Sequence, residues 1–218
     1  MYRVIKKASS GRGTVVQFES GLTLTFGPHN PLATELRPDS ELSDTEFALF
    51  KSRYDRIEGS SFLARKLAMR PLSVVEASRA LAKKGIAKDI AKEIVAEFRE
   101  RGHLDDTKLA KDIVESAVRE KPLGRAVIAI KLRGRGFNAE VVEQVISATF
   151  DTVDESEMAV TLLRKRWHGL HRFDLETARH KAYTFLARRG MSYESSRAAF
   201  EKLREEAANS SFSNSDIK

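Results

Sequence analysis

The chain has 218 residues, no cysteine and a net charge of +7 at neutral pH, with 41% hydrophobic and 32% charged residues. Without cysteine there is no disulfide framework, no thiolate zinc site and no cysteine nucleophile, which fits a reducing compartment. No apolar run reaches the ~18 residues that span a bilayer, and the start, MYRVIKKASSGRG, lacks an apolar core of signal-peptide length. A cytoplasmic protein without membrane attachment is expected. Residues 1–60 carry eight basic and eight acidic side chains, whereas residues 61–218 carry thirty against twenty-three, so all the excess charge lies in the second part. Such asymmetry points to a polyanionic partner, nucleic acid or nucleoprotein, with a solvated helical surface as the plainer alternative.

The first thirty residues read as strands. RVIKKA, TVVQFES and LTLTFG are rich in Val, Ile, Phe and Thr and are separated by Gly and Ser. The second and third form a hairpin. A three-residue loop, Glu19-Ser20-Gly21, sets Phe18 opposite Leu22 and Val16 opposite Leu24, with Gly21 left-handed. A two-residue loop would set Phe18 against Thr23 and lose the apolar match. GPHNP and RPDS then interrupt any further strand.

A helix is predicted from Ser43. SDTE is a capping box, and Phe47, Phe50, Tyr54 and Ile57 follow at spacings of three and four to pack on the sheet. EGSS at 58–61 predicts a break that closes a β-rich extension at residue 60.

From Phe62 to about Leu203 the sequence repeats. LAKKGIAKD (81–89), LRGRGFNAE (132–140) and LARRGMSYE (186–194) align on one glycine. Each has Leu four residues before it (Leu81, Leu132, Leu186) and a basic residue just before it (Lys84, Arg135, Arg189). Each has an apolar residue just after it (Ile86, Phe137, Met191) and an acid four residues after it (Asp89, Glu140, Glu194). A left-handed glycine ending one helix explains the pattern, with the flanking charges suited to the two helix dipoles. The helix after the glycine shows Ile90, Ile94 and Phe98 in the first copy, and Val141, Val145 and Ile146 in the second. The third is weaker, with Ser195 and Ser196 before Phe200 and Leu203, as a terminal repeat would be. The helix before the glycine starts at a second capping box (SVVE, 73–76), after Pro122 and Gly124, and at Asp174. Further helices are predicted at 62–69, about 106–119 and about 154–168.

The expected organisation is mainly α: tandem three-helix repeats at 61–104, 105–151 and 152–207 in a curved arrangement. They follow the extension at 1–60 and precede a disordered tail at 208–218.

Three stretches invite a chemical reading. In RGHLDD (101–106), His103, Asp105 and Asp106 could form an acid–base or metal cluster. The structural alternative is a C-cap at Gly102, a core plug at Leu104 and an N-cap at Asp105 or Asp106. The other histidines (29, 168, 171 and 180) have no ligand spacing with His103, which favours the structural reading. LRGRGF follows a helix and lacks the Gly-Lys-Ser/Thr of a phosphate loop, although Gly134 inside a helix is left unexplained. RKRWHGLHR (164–172) sets Arg164, Lys165 and Arg166 beside the single tryptophan, Trp167, which is expected to be core. The densest ordered basic segment holds Arg119, Lys121, Arg125, Lys131, Arg133 and Arg135, offset by Glu120 alone. These nine basic residues are the expected contacts for an anionic partner. No nucleophile–base pair, cofactor motif or metal cluster is found, so no enzyme is expected.

The segment RGHLDDTKLAKDIVESAVREKPLGRAVIAIKLRGRGF resembles the central part of the RecX regulatory proteins, and LARRGMSYESSRAAFEKL is similar to their carboxy-terminal signature. The resemblance covers about residues 62–205. His103 stands where an aromatic is usual and Gly134 where a polar residue is usual, and residues 1–60 look like the amino-terminal extension that some members carry. The resemblance implies tandem three-helix units in a curved chain and a non-enzymatic, monomeric regulator of the RecA recombinase in DNA repair, homologous recombination and the SOS response. Such a protein binds the RecA–single-strand DNA filament and suppresses ATP hydrolysis, strand exchange and coprotease activity, with weak sequence-independent DNA binding expected. The rival reading is an autonomous helical DNA-binding protein, with helix-turn-helix-like pairs acting without RecA.

Overall fold

Alternating apolar residues at the start of the chain build a small antiparallel sheet in the computed structural model. It contains β1 (Tyr2–Ser10), β2 (Gly13–Phe18), β3 (Thr23–Phe26) and β4 (Glu41–Leu42), in the order β3-β2-β1-β4. Residues 12, 29, 121, 171 and 214–218, and the side chains of 210–213, lie outside the described residues. The β2–β3 hairpin takes the predicted register. Val16 pairs with Leu24, the Phe18 N–H donates to the Leu22 carbonyl at 2.8 Å, and Gly21 has φ +82°. The strand β4 is not foreseen from the sequence. Proline and polar residues do interrupt the chain, but Asp39 at φ +65° turns it back so that Tyr2 pairs with Leu42.

Helix α1 (Asp44–Met69) begins at the predicted Ser43–Glu46 capping box. Hydrogen bonds from the Ser43 backbone and side chain hold the Glu46 carboxyl below its usual pKa. Phe47, Phe50 and Tyr54 close the sheet core with Val4, Phe18 and Phe26. The predicted break at 58–61 is absent, so the expected boundary at residue 60 falls inside α1. Glycine is tolerated there because it lets another helix approach: a Cβ on Gly59 would lie 2.6 Å from Ile94 Cδ1. One residue earlier, the buried Glu58 accepts from the Gly27 N–H and from Asn30 Nδ2, both at 2.7 Å. A single helix therefore serves the sheet with its first half and the first helical core with its second.

That core joins α1 to α2 (Val74–Lys84) and α3 (Lys88–Glu100) around Leu63, Leu81 and Ile94. The second predicted capping box forms at Ser73 and Glu76. These elements and the sheet make one compact unit, Met1–Asp105. The second unit holds α4 (Asp106–Arg119), α5 (Arg125–Gly134), α6 (Ala139–Phe150), α7 (Glu155–Leu170), α8 (Leu175–Arg188) and α9 (Tyr193–Ser213). Ile128, Leu132 and Val145 centre one of its cores, and Leu163, Leu186 and Phe200 the other. α9 passes the start of the tail expected at 208, because the alanines and acids before it favour helix. The rest of that tail, 214–218, is outside the described residues.

All three repeat glycines end their helices in the left-handed region, at φ +85°, +85° and +81° for Gly85, Gly136 and Gly190. The bonding is the same each time. The N–H of Ile86, Phe137 or Met191 reaches back to the carbonyl of Leu81, Leu132 or Leu186, at 3.2, 3.3 and 3.1 Å. Each glycine N–H meets the carbonyl three residues before it, at 2.9 Å. This is a Schellman motif. The repeated leucine is fully buried and the apolar residue after the glycine lies in the same core, so one pattern both stops the helix and aims the next one.

In the second unit one of these caps, that at Gly190, serves a further purpose. The Gly124 N–H donates to the Arg189 carbonyl at 2.8 Å, and a Cβ on Gly124 would lie 2.1 Å from the Gly190 carbonyl oxygen. Met158 packs against both cores. The start of α5 is thus bonded to the end of α8.

Two predictions follow from this geometry. A Cβ on Gly134 meets open space and its φ is negative, so Gly134→Ala should stabilise the chain by roughly 0.5–1 kcal/mol. Gly190→Ala should destabilise it by more than about 1 kcal/mol, because the position is left-handed and the added Cβ would lie 2.7 Å from the Val127 nitrogen. Urea midpoints that move the same way for both would contradict this account. Burial, reinforced by the Glu58 charge, pushes the Tyr54 hydroxyl up to about 12; it donates to the Thr25 carbonyl at 2.7 Å. The protonated phenol is favoured in the fold, so its contribution is complete below about pH 10 and is lost as pH rises towards 12. Tyr54→Phe should flatten the alkaline arm of a stability-against-pH curve.

Candidate functional site

RGHLDD resolves into a helix stop. Gly102 has φ +72°, its N–H meets the Arg99 carbonyl at 2.9 Å, and the His103 N–H meets the Phe98 carbonyl at 2.8 Å. This is a fourth Schellman motif. The exposed His103 ring rests 5.7 Å from that of Phe98, and Leu104 is buried in the first helical core. Asp105 directly precedes α4, in the place of a cap. Among the described residues no group of three or more His, Asp or Glu could hold a metal ion.

The basic candidates on α4–α6 do not form one surface. Arg119 pairs with Glu120 at 3.3 Å and lines the α4–α6 cleft. Lys121 lies outside the described residues. Arg125 and Arg133 line a different cleft, of about 600 Å³, between α5 and α6. Arg125 stacks over Phe150, 4.9 Å from the ring centre, and also donates to its carbonyl. Lys131 and Arg135 follow one another at a four-residue spacing on the other flank of α5, because Ile128 and Leu132 face the core. Arg135 sits over Phe137 at 5.7 Å. Between the flanks Ile130 points outward, 67% exposed.

The candidates on α7 also divide. Arg164 turns to α9, where it forms two 2.9 Å bonds with Glu206. Beside it Lys202 donates to Glu157 at 2.5 Å, which holds the ammonium above its ordinary pKa. Lys165 is exposed. Arg166 turns to α8 and lies 4.4 Å above the Phe185 ring, with Arg189 5.6 Å from the same ring. Trp167 packs on Phe200 with ring centres 5.4 Å apart, as a core residue, although its buried Nε1 has no hydrogen-bond partner among the described residues.

The α7–α8 cleft that Arg166 enters is uniformly basic among the described residues. It encloses about 410 Å³ and is lined by Arg166, His180, Lys181, Thr184, Phe185 and Arg188 with apolar residues of α7, and by no carboxylate. The α8 residues escaped attention in the sequence because they are scattered through LETARHKAYTFLARR. The available signal was spacing: Lys181, Thr184, Phe185 and Arg188 fall on one helical face without an acid.

Tandem three-helix units following a small sheet define a helical-repeat protein, and comparison with known proteins gives its family. A family model described as RecX, third three-helix domain, matches residues 154–200. The regulatory protein RecX of Amycolatopsis mediterranei is 31% identical over 57% of this chain and 70% of its own length. That of Deinococcus radiodurans is 28% identical over 60% of each chain, so the match spans about three fifths of that relative. A crystal structure of regulatory protein RecX aligns with TM-score 0.62 over 89% of this chain and 97% of its own, at 14% identity. RecX from Lactobacillus salivarius aligns at 0.64 over 69% and 97%, at 19% identity. The chain belongs to the RecX family of regulatory proteins.

The unpaired indole gives a local prediction. Trp167→Phe removes a buried, unsatisfied N–H and should change stability by less than about 1 kcal/mol, whereas Trp167→Ala should cost about 3–5 kcal/mol. Thermal melting of the two variants checks it, and equal losses would place the indole N–H in a bond.

Proposed function

We propose that this protein regulates the RecA recombinase as a non-enzymatic binding protein. It engages the RecA–single-strand DNA filament in the cytoplasm, as a monomer, and slows ATP hydrolysis, strand exchange and coprotease activity. The observation that carries the reading is membership of the RecX family. The site geometry is compatible with it: the candidate residues are cations and aromatic rings on helix surfaces, suited to a large charged partner and not to bond-breaking chemistry. Membrane attachment has no support either, since no helix among the described residues is long and apolar enough to cross a bilayer. Direct contact with DNA is weak and independent of sequence in this reading, because side chains such as Lys131, Arg133 and Lys165 offer charge without a docked recognition helix.

The test is DNA-dependent ATP hydrolysis by RecA with substoichiometric amounts of this protein added. Slowing is expected, and no slowing at any salt concentration would remove the inhibitory role. Charge reversal then maps the surface. Lys131→Glu with Arg135→Glu changes one flank of α5, and Arg133→Glu the other. All three changes together should weaken filament binding at least tenfold with the melting temperature unchanged. If binding persists, the contact lies off α5.

A further inference from the structure

We propose that the α7–α8 cleft is a binding groove for the phosphodiester backbone of a single nucleic-acid strand. Arg166, Lys181 and Arg188 supply three cations from two helices, and among the described residues none of them has an ion-pair partner. Some exposed cations elsewhere on this unit do pair, Arg164 with Glu206, Arg179 with Glu176 and Lys202 with Glu157, while others such as Lys165 stand singly outside any such cluster. Three like charges around a cleft of about 410 Å³ repel one another in the free protein, so a bound anion relieves a standing cost. His180 and Thr184 add polar groups to the same wall.

Aromatic rings identify the anion as a strand. The Arg166 and Arg189 guanidinium groups lie 4.4 and 5.6 Å from the Phe185 ring centre, which leaves Phe173 as the ring open to a base. Phe173, outside the lining itself but next to Lys181, is 45% exposed, with Lys181 Nζ 4.4 Å from its ring centre. A cationic track beside an exposed ring on which a base can stack is the usual solution for sequence-independent single-strand binding. An acidic peptide would need the charges alone and would leave Phe173 unused.

A related cleft lies in the first unit, between α1 and α2, although Glu76 stands there at the position of Lys181, nine residues before the repeat glycine. There Lys66 stands where Arg166 stands, aligned through the buried Leu63 and Leu163, and Lys83 stands where Arg188 stands, two residues before the repeat glycine. Arg79 adds a third cation, and the Arg70–Glu76 pair occupies one end. The middle repeat differs. Its equivalent of Arg188 is Gly134 and its equivalent of Lys181 is Val127, which packs against Gly190. Among the described clefts, the arrangement of cations without an acid therefore belongs to the third repeat.

This inference deepens the filament reading by naming where the strand is held, yet it is tested without RecA. Fluorescein-labelled oligothymidylate is titrated with the full chain across a salt series and read by anisotropy. In R166Q/K181Q/R188Q, affinity should fall at least tenfold. The slope of log affinity against log salt should shrink by about two, since each single-strand phosphate contact contributes about 0.7. Phe173→Ala should weaken binding about fivefold or more with the slope unchanged, because stacking releases no counterions. If the triple variant melts early, each single substitution should still lower the slope by about 0.7. A folded triple variant with wild-type affinity and slope overturns the proposal. So does a protein that binds inorganic pyrophosphate at these residues but not oligothymidylate, which would make the cleft a pocket for small phosphates. Failure of the ATP hydrolysis assay with this result intact would remove the RecA reading alone.

Discussion

The helical part of this protein depends on one backbone arrangement, a left-handed glycine held by two hydrogen bonds at the end of a helix. In each repeat the bond from the residue after glycine reaches the carbonyl of a buried leucine four residues before the glycine. The side chain of that leucine and that of the residue after glycine then enter one core. Local and tertiary constraints coincide there: the stop signal fixes the angle of the next helix, and core packing holds the stop in place. A short helix pair would be marginal alone, and the third helix of each unit supplies the remaining apolar contacts.

The second level of organisation comes from small residues at contact points. Gly59 admits Ile94, and Gly124 admits the backbone at Gly190. In both places the absence of a Cβ allows two segments to approach closely enough for a side chain to pack on the backbone or for two backbones to bond. The basic surface is a consequence of this framework. Lys131 and Arg135 stand on one flank of α5, Arg125 and Arg133 on the other, and Arg166 and Arg188 meet across a cleft because α7 and α8 pack side by side.

Periodic and cap-forming features were legible in the sequence. The hairpin register followed from matching Phe18 with Leu22 and Val16 with Leu24, both capping boxes were visible as spacings, and the repeat glycines announced their own conformation. Two kinds of information were not. Gly59 and the serines beside it read as a break because their partner, Ile94, is 35 residues away and a local pattern cannot show it. β4 is two residues long and exists only because β1 has an edge to offer. For the candidate site, a run of charge was misleading: residues 119–135 look like one patch in one dimension, yet a helix turns neighbours by about 100° and sends them to different faces. The α7–α8 cleft shows the converse, since its cations are dispersed in sequence and converge only when two helices pack.

The unbroken α1 has a mechanical consequence. Its 26 residues span about 39 Å, at about 1.5 Å per residue. Its first half is locked to the sheet by Phe47, Phe50, Tyr54 and Glu58, and its second half to the first repeat by Gly59 and Leu63. The sheet is therefore a handle fixed to one end of a rod, not a tethered appendage. Whatever grips the handle sets the orientation of the first repeat, with no joint between them to absorb the torque.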